Sequence, residues 1–300
     1  MSITLRDTIK ETVRYHLTEE KGLAMGQCLT AVGWVGGTLP ELYEEDGMVE
    51  ISMADVAGGG FAVGAALAGR RPMYVIRYQG FNWFNAPMII NYAAKSKEIW
   101  GVPCPMFVRS IAMEGGIGPV AGSSHHALYY RMPGIKIVSP MTPGEYEQAY
   151  ADFMESDDVV YVSEHRGAYG NTEELPNIEY DIPDIILFPI SITRFAAVEA
   201  SKELEKEGYK VAVHHIVNIK PFNPTENDIL TLKRARYGIV LDDDYVDGIA
   251  KSLAFDLCKG TASEMHVMGL KDKSAGFYPQ VDNLPPSKDE IIAKIKEILK

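Results

Sequence analysis

The chain has 300 residues, of which 46% are hydrophobic and 23% charged, and its formal net charge at pH 7 is -12. This length suggests two domains that can each bury a core. The acidic balance argues against nucleic acid or an anionic membrane as a partner, because both require a basic face.

The N-terminal sequence and the cysteines indicate in which cellular compartment the protein is expected. The N-terminal MSITLRDTIKE is polar and begins a helical pattern, and no apolar run approaches the length of a membrane span. Cys28, Cys104 and Cys258 lie far apart without metal-ligand spacing. We therefore expect buried apolar thiols rather than disulfides or zinc ligands, and a cytoplasmic address.

The first predicted element is an amphipathic helix over 4–20, because Leu5, Ile9, Val13 and Leu17 recur at four-residue spacing. The next predicted elements are a strand at 22–28, a loop at 33–37, a short helix at 39–45 and a strand at 48–53.

The central stretch places an acid, a glycine-rich segment and aromatic residues close together in sequence. Asp55 precedes Gly58, Gly59 and Gly60, which remove side-chain bulk and predict a turn that another group can approach closely. A small-residue helix is predicted over 61–68, and a strand buried on both faces over 72–79. An acid at one strand end and aromatic rings at the next could frame a flat ligand.

The rest of the first half alternates helices and strands. The predicted elements are a helix at 84–100, a strand at 105–110, a glycine-rich loop at 114–124, a strand at 135–139, a helix at 144–155 and a strand at 159–164. The chain from 168 to 184 carries prolines and acids without periodicity, and we interpret it as a linker between domains 1–167 and 185–300.

The second domain repeats this alternation. Strands are predicted at 185–192, 210–217, 237–242 and 264–270, and helices at 193–207, 225–235, 246–259 and 288–299. The sequence therefore predicts an α/β protein with two doubly wound, mainly parallel three-layer domains, the second smaller than the first.

Five motifs in sequence order resemble one known family. They are the acid with its glycines and AVGAALAGRRP, then FNWF with NYAAK, GGIGPVAGSSHH, MPGIKIVSPMTPGEYEQAY and DDVVYVSEHRGAYG. Together they resemble the β subunit of the thiamine-diphosphate-dependent 2-oxo-acid dehydrogenase E1 component, whose first domain is also the pyrimidine-binding domain of transketolase. The resemblance covers most of the chain and implies a pyrimidine-binding domain followed by a transketolase C-terminal domain.

The resemblance implies a role for Asp55. In that family a glutamate hydrogen-bonds N1′ of the aminopyrimidine and promotes the imino tautomer that deprotonates the thiazolium carbon. Aspartate is shorter by about 1.5 Å, so contact needs a shift of the backbone or the cofactor, or a bridging water. The alternatives are an ordinary N-cap for the helix at Ala57, or an acid that was lost together with activity.

The resemblance also implies aromatic and histidine roles. Phe81 matches the aromatic residue that stacks on the pyrimidine. Tyr78 is a second cofactor-binding candidate, although it also fits, like Trp83 and Phe84, a core or subunit-interface role. His125 matches the family histidine that faces the substrate, with a pKa that allows switching near neutral pH, and His126 is a candidate for the same role.

Other polar clusters are interpreted as structural. Ser123 and Ser124 lack a nucleophile elbow, so hydrolase chemistry ranks low. His214 and His215 are predicted inside a strand, and the aspartates at 242–244 at the end of a strand and the start of a helix rather than in a metal site.

Two departures from the family pattern shape the expected assembly. Gly26, Gln27 and Cys28 stand where the family has Gly-Glu-Asp, and no GDG motif for Mg²⁺ and diphosphate occurs in the chain. The resemblance therefore implies an α-type partner that holds Mg²⁺ and diphosphate, with an α2β2 assembly, and it allows a lipoyl acyltransferase as a further partner.

The expected function is that of a β-type subunit, acting on a 2-oxo acid or a ketose and supplying the pyrimidine pocket. The alternatives are a split transketolase or carboligase C-terminal subunit, and a non-catalytic assembly subunit.

Overall fold

A computed structural model of the chain describes residues 3–31, 33–113, 123–274 and 280–300. These residues form two compact units, and the boundary between them falls between Glu174 and Leu175. The boundary lies within the predicted linker at 168–184. Nearly all of the predicted glycine-rich loop, at 114–122, is outside the described residues.

The first unit is built on six parallel strands in the spatial order β2-β1-β3-β4-β6-β5. Every residue of β3, β4 and β6 is buried, as expected for a parallel sheet that is covered on both faces. The strands are β1 (Leu23–Gln27), β2 (Met48–Ile51), β3 (Pro72–Ile76), β4 (Met106–Ala112), β5 (Ile135–Val138) and β6 (Val159–His165).

The helices of this unit are α1 (Leu5–Thr18), α2 (Gly33–Gly37), α3 (Asp55–Leu67), α4 (Asn82–Met88), α5 (Ala94–Trp100), α6 (Ala127–Tyr130) and α7 (Pro143–Glu155). The predicted amphipathic helix α1 is confirmed, and the Thr4 hydroxyl caps it by accepting from the amide of Asp7. A π-helical turn joins α4 to α5, so the predicted helix at 84–100 is confirmed as a composite helix.

Two local predictions near the N-terminus were wrong. The predicted loop at 33–37 is the turn α2, in which Trp34 and Val35 have φ of 49° and 51° and the helical sense is left-handed. The predicted helix at 39–45 is absent from the described residues, where only a short 3₁₀ turn at Glu44–Asp46 is present.

The glycine-rich segment also differs from its prediction, because Gly58, Gly59 and Gly60 lie inside α3 rather than in a turn. A Cβ at Gly58 would lie 2.9 Å from the Tyr74 hydroxyl, and one at Gly59 would lie 3.3 Å from Cβ of Met88. The glycines therefore allow α3 to pack closely on β3 and α4.

Asp55 is the first residue of α3, and the N-cap is Ala54. The alternative that Asp55 serves as an ordinary N-cap was therefore wrong.

The second unit contains a four-stranded parallel sheet in the order β11-β10-β7-β8. Its core joins strand residues such as Leu187 and Ile239 to helix residues such as Leu204, Ile291 and Ile295. The four strands of this sheet are β7 (Ile185–Pro189), β8 (Val211–Val213), β10 (Tyr237–Tyr245) and β11 (Glu264–Leu270), and the unit also contains the short strand β9 (Asn218–Lys220), which is not part of this sheet. The helices are α8 (Thr193–Glu205), α9 (Glu226–Ala235), α10 (Ala250–Cys258) and α11 (Lys288–Ile298).

Two polar clusters of the second unit lie at positions, relative to the strands, that differ from the predicted ones. The aspartates at 242–244 are buried inside β10, where Asp243 accepts a hydrogen bond of 2.8 Å from the Ser191 hydroxyl. The histidines at 214 and 215 follow β8 rather than lying within it. His214 lies 2.6 Å from a carboxylate oxygen of Asp228 and 3.0 Å from one of Glu179.

The predicted fold class is confirmed: this is an α/β protein with two mainly parallel sheets. Cys104 is buried as predicted, whereas Cys28 and Cys258 are partly exposed. In the described part of the chain, no helix has the length and apolar character needed to cross a bilayer.

Candidate active site

A small cavity of about 140 Å³ opens in the first unit, beside the carboxyl ends of β1 and β3. Ligand sites of open α/β sheets gather at such strand ends. The cavity brings together three predicted site residues, Asp55, Tyr78 and Phe81. Its other lining residues are Gln27, Cys28, Met53, Tyr74, Val75, Ile76, Arg77 and Asn85. At a liquid volume of about 30 Å³ per water, the space equals four or five waters and suits a single ring better than a large ligand.

The Asp55 carboxylate is oriented from one side only. Its Oδ1 accepts a hydrogen bond of 2.9 Å from Nδ2 of Asn85. Oδ1 of Asn85 accepts a 2.5 Å bond from the Tyr74 hydroxyl, which fixes the amide so that its NH₂ group faces Asp55. Burial, assisted by the charge of Asp55, raises the pKa of Tyr74, so its hydroxyl stays a donor. Among the described residues, Oδ2 of Asp55 has no hydrogen-bond partner and remains available to a ligand.

Two aromatic rings lie on the wall of this cavity. The centroids of Tyr78 and Phe81 are 5.9 Å apart and their planes are tilted by 50°. Phe81 is held by its position on the 3₁₀ turn before α4, and its carbonyl accepts a 2.9 Å bond from Nδ2 of Asn85. The same amide therefore connects the carboxylate to the segment that carries the ring.

Gln27 and Cys28 both line the cavity. Nε2 of Gln27 is buried and has no hydrogen-bond partner in the described structure. A buried donor without an acceptor is costly and indicates a missing ligand group or water. The cavity thus offers an acceptor on Asp55 and a donor on Gln27.

The predicted histidines lie outside the cavity lining. The backbone amide of His125 donates a 2.6 Å bond to Oε1 of Gln79, and its ring packs edge-on against Trp83 at 6.3 Å. Burial, with a smaller contribution from His126, lowers the pKa of His125 to about 4. His125 is therefore neutral at pH 7, and its titration is shifted away from the neutral range.

His126 is fully buried, with Nδ1 3.2 Å from the Ser163 hydroxyl of β6. Nε2 of Gln79 donates a 2.8 Å bond to the same hydroxyl. The ring of His126 therefore contacts β6 through Ser163, and the backbone of His125 is connected to the same hydroxyl through Gln79.

Sequence reasoning missed the residues that orient the site, namely Tyr74, Gln79 and Asn85. The spacing of Asn85 four residues after Phe81, on one helical face, was the only local signal. The contacts of Tyr74 and Gln79 span different strands and leave no mark in the local sequence pattern.

Residues 2–172 match the family model described as "Transketolase, pyrimidine binding domain". The chain belongs to this family. It is 22% identical to the pyruvate dehydrogenase E1 component subunit beta of Rickettsia felis, over 99% of this chain and 98% of that protein. It is 26% identical to the 2-oxoisovalerate dehydrogenase subunit beta of Bacillus subtilis, over 74% and 73% of the two chains.

The pyrimidine-binding family assignment agrees with a structural comparison. A solved structure titled "Split gene transketolase, inactive beta4 tetramer" has a TM-score of 0.77 and 15% identity, covering 99% of this chain and 98% of that one. At this identity the likeness supports the fold of both units. The predicted resemblance to E1 β subunits is confirmed at the level of the family.

Proposed function

We propose that the chain is the β-type subunit of a two-chain thiamine-diphosphate-dependent enzyme, and that its cavity receives the aminopyrimidine of the cofactor. When bound, thiamine diphosphate supplies a nucleophilic carbon and an electron sink for cleaving a bond beside a carbonyl. The chemistry would be decarboxylation of a 2-oxo acid, or ketol cleavage, with transfer of a two-carbon or acyl group.

The observation that carries the proposal is the half-satisfied carboxylate of Asp55 in a ring-sized cavity. Asn85 engages Oδ1, while Oδ2 has no partner among the described residues. A protonated ring nitrogen is a suitable donor for that oxygen, and the unpaired amide of Gln27 suits a ring acceptor. An aminopyrimidine has both kinds of group, and Phe81 adds a flat apolar surface.

The carboxylate of Asp55 would accept a hydrogen bond from the protonated ring nitrogen. The aspartate side chain, which is one methylene shorter than that of glutamate, is held in place by the hydrogen bond from Asn85 and by its position at the start of α3. The partial positive charge at this helix N-terminus attracts a carboxylate, whose oxygens accept hydrogen bonds. A shift of the ring toward Asp55, or one bridging water, would make up the length of the missing methylene.

His125 would face the substrate as a neutral imidazole. Its lowered pKa leaves one ring nitrogen as an acceptor and the other as a donor at neutral pH. Such a group can pass a proton to or from an oxygen of the substrate without carrying a resting charge. His126, buried against Ser163, would support this arrangement rather than contact the substrate.

A partner subunit is part of the proposal, because the chain has no GDG motif for Mg²⁺ and diphosphate. The first unit also exposes large apolar side chains, each more than half accessible, on and around α3, α4 and α5. They are Met53, Val56, Phe61, Trp83, Phe84, Ile99 and Trp100. Exposed apolar side chains in such numbers are typical of interaction surfaces. We propose that an α-type subunit binds there in an α2β2 assembly, with Mg²⁺ held by the partner.

Two alternatives give different results in the same assays. A split transketolase would transfer a two-carbon unit to an aldehyde and would need no lipoyl acyltransferase. The solved relative titled as a split-gene transketolase favours keeping this alternative. A non-catalytic assembly subunit would leave turnover independent of Asp55 and His125.

The test begins with affinity purification of the tagged full-length chain and identification of a GDG-bearing partner. Turnover of the purified complex with thiamine diphosphate and Mg²⁺ is then measured for Asp55→Asn, Asp55→Glu and His125→Ala. Because general acid-base groups contribute about 10²–10⁴ in rate, Asp55→Asn should lower turnover at least about 100-fold. Asp55→Glu keeps a carboxylate and should retain more turnover.

The matched control is Asp152→Asn, an exposed aspartate on α7 of the same unit. It should leave turnover within about twofold of wild type, as expected for a surface site. If turnover of both Asp55→Asn and His125→Ala equals that of wild type, the catalytic role of these residues is rejected. The remaining alternative is then a non-catalytic assembly subunit.

A further inference from the structure

Gln79 is a fully buried amide at the start of the 3₁₀ turn that contains Phe81. This turn, Gln79–Phe81, follows β3 and precedes α4, so it lies at the carboxyl end of β3. Burying an amide is costly unless its donors and its acceptor are paired. The side chain of Gln79 therefore has to find its partners inside the fold.

Both polar atoms of the Gln79 side chain are hydrogen-bonded. Nε2 donates to the carbonyl of Ser110 on β4 at 3.2 Å and to the hydroxyl of Ser163 on β6 at 2.8 Å. Oε1 accepts a 2.6 Å bond from the backbone amide of His125. A flipped side-chain amide would point Nε2 at that backbone N–H, donor against donor. The two strands therefore fix which end of the amide faces His125.

The hydroxyl of Ser163 connects Gln79 to the ring of His126. Because this hydroxyl accepts from Gln79 and is fully buried, its own hydrogen also needs an acceptor. Within the described part of the chain, its remaining hydrogen-bond partner is Nδ1 of His126, at 3.2 Å. Nδ1 of a neutral His126 is then the acceptor, and the ring proton is on Nε2.

The turn that begins with Gln79 also fixes the aromatic wall of the Asp55 cavity. Phe81, two residues after Gln79, lines that cavity, and its carbonyl accepts a 2.9 Å bond from Asn85. One short turn thus sets the spacing between the ring of Phe81 and the backbone of His125. Such spacing matters because a misplacement of about 1 Å can cost about 100-fold in rate.

Another buried amide of the same unit has different partners. Asn82 is fully buried, and it is bonded to the hydroxyls of Ser110, Tyr129 and Tyr161 at 3.1, 3.4 and 2.7 Å. These contacts connect core side chains to one another. Gln79 instead connects two strands to the backbone of one histidine and, through a hydroxyl, to the ring of the next.

We propose that Gln79 is the positioning residue of the histidine pair: it fixes the backbone of His125 relative to Phe81 and, through Ser163, selects the Nε2–H tautomer of His126. This inference rests on the proposed function, because that function makes His125 face the substrate. Gln79 is not among the described residues that line the cavity, so it acts through the histidines and not on the bound ring.

The test is ¹⁵N NMR of the full-length chain with selectively labelled histidine rings. The ¹⁵N shifts report the tautomer of each ring, its titration, and whether an unprotonated nitrogen accepts a hydrogen bond. Signals are assigned by their loss in His125→Ala and His126→Ala. In wild type we expect the Nε2–H tautomer for His126. For His125 we expect a titration well below pH 6.5, because burial lowers its pKa to about 4.

Gln79→Leu keeps the approximate size of the side chain and removes its hydrogen bonds. It should raise the pKa of His125 by at least about one pH unit, because a segment without this anchor is better solvated. It should also shift the Nδ1 signal of His126, since the Ser163 hydroxyl loses the donor that directs it. Ser163→Ala removes only the hydroxyl. This variant should shift the Nδ1 signal of His126 and leave the titration of His125 as in wild type.

The matched control is Asn82→Leu, which also removes a buried amide and should leave the signals of both histidines unchanged. His214 in the second unit is the internal control for the fold. Signals of His125 and His126 that match wild type in Gln79→Leu, or that change equally in Asn82→Leu, would overturn the proposal. If Gln79→Leu does not fold, Ser163→Ala decides: an unchanged Nδ1 signal of His126 would overturn the proposal.

Turnover separates this inference from the proposed function. In the complex with its partner, Gln79→Leu should lower kcat at least about tenfold and keep thiamine binding within about threefold of wild type, because Asn85 still holds the Phe81 carbonyl. Wild-type kcat in Gln79→Leu, with kcat impaired in His125→Ala, would overturn the positioning role. Wild-type kcat in both variants, with altered histidine signals in Gln79→Leu, would reject the proposed role of His125 and leave the positioning of the pair standing.

Discussion

Replacing Glu164 by Gln removes the counter-ion of a fully buried arginine in the first unit. Arg109 donates to both carboxylate oxygens of Glu164, at 2.6 and 2.9 Å, and neither side chain is more than 2% exposed. Burial opposes the charge on Arg109, but the charge of Glu164 outweighs it and raises the pKa of the guanidinium. Arginine does not lose its proton in proteins, so Arg109 stays charged in Glu164→Gln but has lost its counter-ion.

Breaking a buried pair from one side costs about 3–5 kcal/mol of unfolding free energy. A urea slope of about 1–3 kcal/mol per molar converts this loss to a midpoint lowered by at least about 1 M. Tryptophan fluorescence is the appropriate assay, because the three tryptophans, Trp34, Trp83 and Trp100, all lie in the first unit. The signal therefore follows this unit even when the second unfolds separately.

The control is Asp158→Asn, which breaks a half-exposed pair with Lys136 at 2.8 Å and should cost less than about 1 kcal/mol. The double variant Arg109→Met with Glu164→Gln removes both buried charges and should be more stable than Glu164→Gln alone. A midpoint for Glu164→Gln no lower than that of Asp158→Asn would refute the reasoning.

Two further outcomes are expected from the structure. Burial lowers the pKa of His214, but the carboxylates of Asp228 and Glu179 outweigh it and raise the pKa above its ordinary value of 6.5. The stabilisation of wild type over His214→Gln should thus be complete below pH 6.5 and decline as pH rises through the raised pKa, and unfolding curves with a pH-independent difference would contradict this. In α3, Gly64→Ala meets no atom within 4 Å and should add up to about 1 kcal/mol of helix stability, whereas Gly58→Ala meets the Tyr74 hydroxyl and should destabilise the unit. Thermal unfolding with equal shifts for the two variants would show that the close approach of Tyr74 is unimportant.

The sequence predicted the β-α alternation well because buried parallel strands are continuous apolar runs, as in β4 and β6. It failed where tertiary contacts outweigh local preference. Three consecutive glycines favour a turn in isolation, yet close packing on Tyr74 and Met88 keeps them helical. The aspartates at 242–244 suggested a strand end, yet they are buried within β10.

The sequence likewise predicted some residues of the candidate site and not others. The sequence identified Asp55, Tyr78 and Phe81, which line one cavity, because they lie within one short stretch of the chain. It could not identify the Tyr74–Asn85 pair that orients the carboxylate, since those contacts depend on how β3, α3 and α4 pack. The lowered pKa of His125 likewise follows from burial, which spacing alone does not show.

We propose that the cavity beside Asp55 binds the aminopyrimidine ring of thiamine diphosphate. The most direct measurement is an experimental density map of the chain with its partner, Mg²⁺ and the cofactor. We expect the ring against Phe81, with one ring nitrogen within hydrogen-bond distance of Oδ2 of Asp55 or joined to it by one water. A ring bound away from both residues would contradict the account.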